Sequence, residues 1–388
     1  MFDSVMHTYG RFPIVLEKGE GCYVWDDAGG KYLDFAAGIA VNTLGHAHPK
    51  LVAAIAGQAG KLIHVSNYYW TKPLVDLADK LISRTGFDRA FFCNSGAEAV
   101  EGAMKLARRY ASVHHSGRFE IIAMRNSFHG RTFAALTATG QDKYKKGFDP
   151  LMPGILHAEF NDFDSLLGLA GEKTCAVLLE PIQGEGGIHP CDAEYLKKVR
   201  RFCDERDIML IFDEVQCGVG RTGRFFAHEH YGVCPDVAVT AKGLAGGVPI
   251  GAMLSKEKFA SVFGPGDHAS TFGGNPLAAA AANVVADELF DGGLLAHVQK
   301  VSAHLRGKLE SLKAAFPDMI KEVRGVGLLM GAEFAGPVAD AVSGCVENGL
   351  LIINAGANVL RFAPPLIVSE GEIDEGMGIL EKVLRGMS

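Results

Sequence analysis

"AEYLKKVRRFCDERDIMLIFDEVQCGVGRTG", residues 193–223, decides the fold. Its first half sets Leu196, Val199, Phe202 and Cys203 at helical spacing among charges, an amphipathic pattern. Its second half runs Ile208 to Phe212 without a polar break and stops at two carboxylates, Asp213 and Glu214. A continuous apolar run of that length is a strand buried on both faces, which belongs to a parallel sheet covered by helices. The same alternation extends outward. "PLVDLADKLISRTG" reads as helix, "RAFFCN" as strand, "SGAEAVEGAMKLARRY" as helix, and "FEIIAMR", "CAVLLEPI" and "DVAVTA" as strands. This rhythm predicts an α/β fold with a mainly parallel sheet, whose ligands sit beyond the carboxyl ends of the strands.

The bulk properties bound the rest. A chain of 388 residues exceeds one simple core. With 48% apolar and 21% charged residues it has the composition of a globular protein. A net charge of −7 offers no basic footprint for nucleic acid. The N-terminal stretch lacks the apolar region of a signal peptide. The alanine-rich "PLAAAAANVVADELF" is interrupted by Asn283 and Asp287, and reads as a packed helix with no membrane role. Eight cysteines form no CxxC pair and no zinc spacing, so no metal is expected and a reducing cytoplasm suits them. The last hundred residues change pattern. We therefore expect an N-terminal segment, 1–45, packing with a small α/β C-terminal domain, 286–388, around a large domain, 46–285.

Three strand ends carry chemistry. "NSGAE" (94–98) joins a strand to a helix: Ser95 with Glu98 is a capping box, and the same helix end is an anion seat. Asp213, ending its strand, could hold a ring nitrogen protonated, because a nearby negative charge raises that nitrogen's pKa. Glu214 beside it reads equally as a solvated rim charge. "GVGRTG" (218–223) fits a dinucleotide fingerprint only formally: no amphipathic helix follows, and Lys242 stands near the place of the required acid. Lys242 itself, in "DVAVTAKGLAGGVPIGAM" (236–253), ends the next apolar run. A lysine there is a surface residue unless its surroundings desolvate it. A phosphate seat, a strand-end aspartate and a strand-end lysine together describe a pyridoxal phosphate site, with Lys242 bonding to the cofactor aldehyde.

The chain resembles the class III aminotransferases of pyridoxal-phosphate fold type I along nearly its whole length. The likeness rests on "YLDFAAGIAVNTLGHAHP", "NSGAEAVEGAMKLAR", "SFHGRT", "LEPIQGEGG", "FDEVQCGVGRTG", "AKGLAGGVPIGA", "STFGGNPLA" and "LRFAPPL", in that order. The resemblance implies a large domain built on a seven-stranded-type sheet. It also implies that Ser95, Gly96 and Ala97 cradle the phosphate, Ala97 standing where many members have threonine. Phe128 and Val215 would press the two ring faces, Asp213 would pair with the ring nitrogen and Gln216 with the ring hydroxyl. Thr271 would reach the phosphate of a neighbouring subunit in a homodimer with shared active sites. For substrates it implies transfer of the ω-amine of N2-acetylornithine to 2-oxoglutarate. Succinylornithine, succinyldiaminopimelate, ornithine and 4-aminobutyrate are rival donors, and an aminomutase is a further alternative. Arg131 would clamp a remote carboxylate and Arg361 the α-carboxylate of 2-oxoglutarate. Glu185 would cover Arg361 in the first half-reaction, its flanking glycines permitting movement. Ser270 and Tyr68 or Tyr69 would contribute to the substrate wall.

Overall fold

The computed structural model describes residues 4–387. Its centre is a seven-stranded sheet in the order Arg89–Cys93, Gly251–Ser255, Val237–Thr240, Met209–Asp213, Thr174–Leu179, Glu120–Met124, Ile155–Ala158. Every neighbouring pair is parallel except the two made by Gly251–Ser255, which runs antiparallel. The sheet is thus mainly parallel, as the apolar runs predict. Along Met209–Asp213 the side chains alternate between two cores. Met209 and Ile211 pack with the helix Gly96–His114, and Leu210 and Phe212 pack with the helix Ala193–Arg206. Asp213 shares the parity of Met209 and Ile211, so it emerges on the face of helix Gly96–His114.

The strands Gly251–Ser255 and Ile155–Ala158 were hidden by their composition, since "GAMLS" and "ILHA" are short and lack a β-branched run. Glu214 is no rim charge. It is fully buried and accepts from the backbone N–H of Ala227 and His228, each at 2.8 Å, with His228 Nδ1 at 3.0 Å. The "GVGRTG" stretch forms turns, and only the four-residue 3₁₀ helix Ala227–His230 follows it. A Cβ at Gly220, which has φ +81°, would lie 2.4 Å from Leu289 Cδ2, so the glycine serves close packing.

Two smaller four-stranded sheets flank this core. One joins Leu16–Glu20, Tyr23–Asp26 and Lys31–Asp34 to Leu350–Leu351, uniting the two ends of the chain. The other holds Ile320–Val326, Leu329–Phe334, Val359–Phe362 and Ile353–Asn354. Arg361 sits in its strand Val359–Phe362, between Gly331 and Ile353 in register. Among the described residues no helix is long and apolar enough to cross a membrane.

Candidate active site

A cavity of about 340 Å³ opens beyond the carboxyl ends of the central strands. It brings together Ser95, Gly96, Ala97, Phe128, Glu185, Asp213, Val215, Gln216 and Lys242, all foreseen in the sequence. The other expected residues do not line it, among them Tyr68 and Tyr69, which are exposed. Arg361 is 3% exposed and touches it through Glu185 and Gln216. Arg131 is exposed at its mouth, with its guanidinium 5.5 Å from the Phe128 ring centre and 4.2 Å from that of Tyr144. Ser270 is joined to the cavity residue Asn94 by a 3.1 Å hydrogen bond. Thr271 is exposed on the adjoining loop.

The anion seat is built as a helix start. Ser95 is the N-cap of Gly96–His114, and its Oγ accepts from Glu98 N at 3.2 Å. The Glu98 carboxylate returns to Asn94 N at 2.7 Å, one residue earlier than the expected box. The first-turn N–H groups of the helix have no intrahelical partner, and with the helix dipole they favour a bound phosphate. Gly96 is needed for space: a Cβ there would lie 2.7 Å from Val215 Cγ1.

Asp213 is 3% exposed and fixed from two sides. Its Oδ1 accepts from Val215 N at 3.0 Å, and its Oδ2 lies 2.7 Å from Nδ1 of buried His129. His129 was not singled out in the sequence, although it stands inside "SFHGRT". Its Nε2 is buried without a hydrogen-bond partner among the described residues. Glu180 was also missed. Its carboxylate accepts from Phe128 N at 3.0 Å and Gly184 N at 3.2 Å, so one buried side chain ties two walls of the cavity together. Burial, and then the charge of Asp213, raise the Glu180 carboxyl well above the usual carboxylate range.

Lys242 begins a 3₁₀ turn immediately after the strand end, with φ +42°. A non-glycine residue in that region is strained by on the order of 1 kcal/mol, and such strain concentrates at functional positions. It forms no ion pair among the described residues. Burial pulls its amine below the ordinary lysine range, and the Arg361 charge adds to this against the opposing pull of Glu185. The Glu185 carboxyl behaves oppositely: burial raises it, but the Arg361 and Lys242 charges prevail and hold it below the usual range.

The Glu185–Arg361 pair predicted from the sequence is present, with Glu185 Oε1 accepting from Arg361 Nη1. The glycines flanking Glu185 are closely packed. A Cβ at Gly184 would lie 2.0 Å from Gln216 Oε1, and one at Gly186 2.5 Å from Asn126 O. Both positions are glycine because the chain is packed there.

The class III aminotransferase family model, described as "Aminotransferase class-III", matches residues 4–384. The chain belongs to this family, and it is a pyridoxal-phosphate-dependent aminotransferase. It is 55% identical over 98% of its length to the acetylornithine aminotransferase of Caldanaerobacter subterraneus subsp. tengcongensis, of which 97% is covered. Among solved structures, the N-acetylornithine aminotransferase from Stenotrophomonas maltophilia K279a is 40% identical with a TM-score of 0.84, covering 98% of each chain. The ornithine aminotransferase from Toxoplasma gondii ME49 is 34% identical with a TM-score of 0.94, covering 99% of this chain and 93% of its own.

The residues present fit the family's cofactor: a helix-terminal anion seat, a fixed carboxylate, and a desolvated lysine share one cavity. Filling the space under Gly96 tests the seat. Gly96→Ala should weaken pyridoxal phosphate binding about tenfold, measured by fluorescence titration. Gly57→Ala, where a Cβ meets nothing within 4 Å, should leave it unchanged.

Proposed function

We propose that the site transfers the ω-amino group of N2-acetylornithine to 2-oxoglutarate, giving N-acetylglutamate 5-semialdehyde and glutamate. The observation that carries this reading is the pairing of Glu185 with buried Arg361 beside the cavity of Lys242. An amine donor whose carboxylate is far from the reacting end needs no cation next to Lys242. A 2-oxo acid needs one. A site with a covered arginine suits both in turn.

Pyridoxal phosphate, when bound, supplies an aldehyde to take the amine and a ring to hold the electron pair. Lys242 would hold that aldehyde and, as a neutral amine, move the proton between the substrate carbon and the cofactor. Asp213, oriented by His129, would keep a positive charge on the ring nitrogen. Gly96, Ala97 and Ser95 would receive the phosphate, Phe128 and Val215 would bracket the ring, and Gln216 would face the ring hydroxyl. Arg131, free of carboxylate partners among the described residues, would clamp the remote carboxylate with its planar fork. Ser270 and the tyrosines Tyr68 and Tyr69 would complete the substrate wall. In chain organisation, residues 46–285 would form the cofactor-holding domain, with 1–45 packing beside 286–388. Support for this comes from the pairing of Lys31–Asp34 with Leu350–Leu351.

The enzyme would be a cytoplasmic homodimer whose sites are shared, Thr271 contacting the partner's phosphate. In support, Thr271 lies beside an exposed aromatic patch. Tyr68 is 91% and Trp70 87% exposed, and Asn67 of the same loop donates to Ser270 O at 3.0 Å and Gly273 O at 2.9 Å. Sedimentation should give a dimer, and a fully active monomer would contradict the shared site.

The substrate reading is tested by single-turnover rates of the two half-reactions, with ornithine among the donors because of the likeness to an ornithine aminotransferase. Lys242→Ala should lose about a thousandfold or more in both halves. Arg361→Ala should impair mainly the 2-oxoglutarate half, and Arg131→Ala both, by roughly tenfold to a hundredfold each. Glu185→Ala should speed the glutamate half and slow the acetylornithine half. Equal loss in both halves for Glu185→Ala would rule out the cover, and a faster turnover of ornithine than of acetylornithine would reassign the donor.

A further inference from the structure

Glu185 and Arg361 do not stand alone. Gln216 Nε2 donates to Glu185 Oε1 at 2.9 Å, and Gln216 Oε1 accepts from Arg361 Nη1 at 3.0 Å. Arg361 Nη1 also donates to Glu185 Oε1, which closes a triangle of one carboxylate, one amide and one guanidinium. The amide has only one satisfied orientation in it. A guanidinium can only donate and an ionised carboxylate can only accept, so turning the amide over would set like poles together on both sides. Gln216 is itself 7% exposed, so its broken hydrogen bonds are not simply replaced by bulk water.

The frame around this triangle is closely packed. Gly184 abuts the Gln216 side chain, and Gly186 abuts the backbone of Asn126. Buried Arg324 donates to Gly187 O at 2.7 Å and to Ile188 O at 3.2 Å, pinning the loop to the neighbouring sheet. Within this packed frame the side-chain contacts of Glu185 hold it over Arg361. Arg361 Nε meanwhile is buried with no partner among the described residues, a donor left over by the closed arrangement.

We propose that Gln216 is a latch: its amide holds Glu185 over Arg361 and so sets how strongly an incoming carboxylate must compete for that arginine. This deepens the two-substrate reading above and rests on it. A side chain that served the cofactor alone would leave carboxylate affinity unchanged when altered. A side chain that served as a substrate ligand would lower it. The latch raises it, because the charged Glu185 loses the hydrogen bond donated by the Gln216 amide and the competitor gains what the cover loses.

Glutarate is a suitable probe, since it has two carboxylates at the spacing of 2-oxoglutarate and neither amine nor carbonyl. Its binding to the holoenzyme is measured by calorimetry, with cofactor content checked by visible absorbance. Gln216→Met, similar in length but without the amide, should bind glutarate about tenfold more tightly than the parent, and Gln216→Leu should agree if the first variant folds poorly. In a Glu185→Ala background, which has no cover to hold, the same change at Gln216 should lose most of its effect, leaving only that of its own contact with Arg361. Unchanged or weaker glutarate binding in Gln216→Met would overturn the latch. Arg361→Ala separates this from the underlying reading. If that variant binds glutarate as well as the parent does, Arg361 is not the carboxylate seat, and the two-substrate reading falls together with the latch. If it loses glutarate while Gln216→Met changes nothing, only the latch falls.

Discussion

The site depends on enclosing one amine: Lys242 is half-buried in the wall of the cavity beyond the strand ends. Lys242 is placed just past the end of a buried strand, in a strained left-handed conformation, with no carboxylate paired to it among the described residues. Desolvation disfavours its charged form, and Arg361 adds repulsion. Almost every neighbouring feature follows from accommodating that arrangement. The nearby carboxylates are each committed elsewhere: Asp213 to His129 and Val215 N, Glu180 to two backbone N–H groups, Glu185 to Arg361 and Gln216. A loose carboxylate in the cavity would capture the lysine as an ion pair and restore its charge.

The parallel sheet makes such crowding possible. Asp213 and Lys242 come from adjacent strands, and Ser95 from the far side of the antiparallel strand Gly251–Ser255. A Cβ at Gly251 would lie 2.4 Å from Ser95 O, so the helix start is drawn onto the strand only because glycine stands there. The smaller sheet contributes Arg361 from its strand Val359–Phe362, and Arg324 fastens that sheet to the loop beyond Glu185. Arg221, buried and donating to the carbonyls of Leu328 and Pro364, fixes the chain just after Arg361.

Much of this was legible in the sequence because it is local. The run Ile208–Phe212 ending in Asp213 announces a buried strand and its ligand-facing end, and "NSGAE" announces a helix start. What escaped reading depends on partners distant along the chain. His129 meets Asp213 across 84 positions, and Gln216 meets Glu185 across 31. Neither contact leaves a spacing or a periodicity. Glycine in a sequence marks either freedom or close approach, and the close approach at Gly184 and Gly186 becomes visible only with the surrounding atoms. The cover over Arg361, whose two members lie 176 positions apart, came from family likeness rather than from any local pattern.

Enclosure in the cavity lowers the Lys242 amine. This lowering can be measured in the cofactor-free protein by the pH dependence of reductive methylation at Lys242, followed by mass spectrometry against the exposed lysines of the same chain. The account predicts that Lys242 becomes reactive at a lower pH than those lysines, below their ordinary value of 10.5. A Lys242 profile that coincides with the exposed lysines, or lies above them, would contradict it.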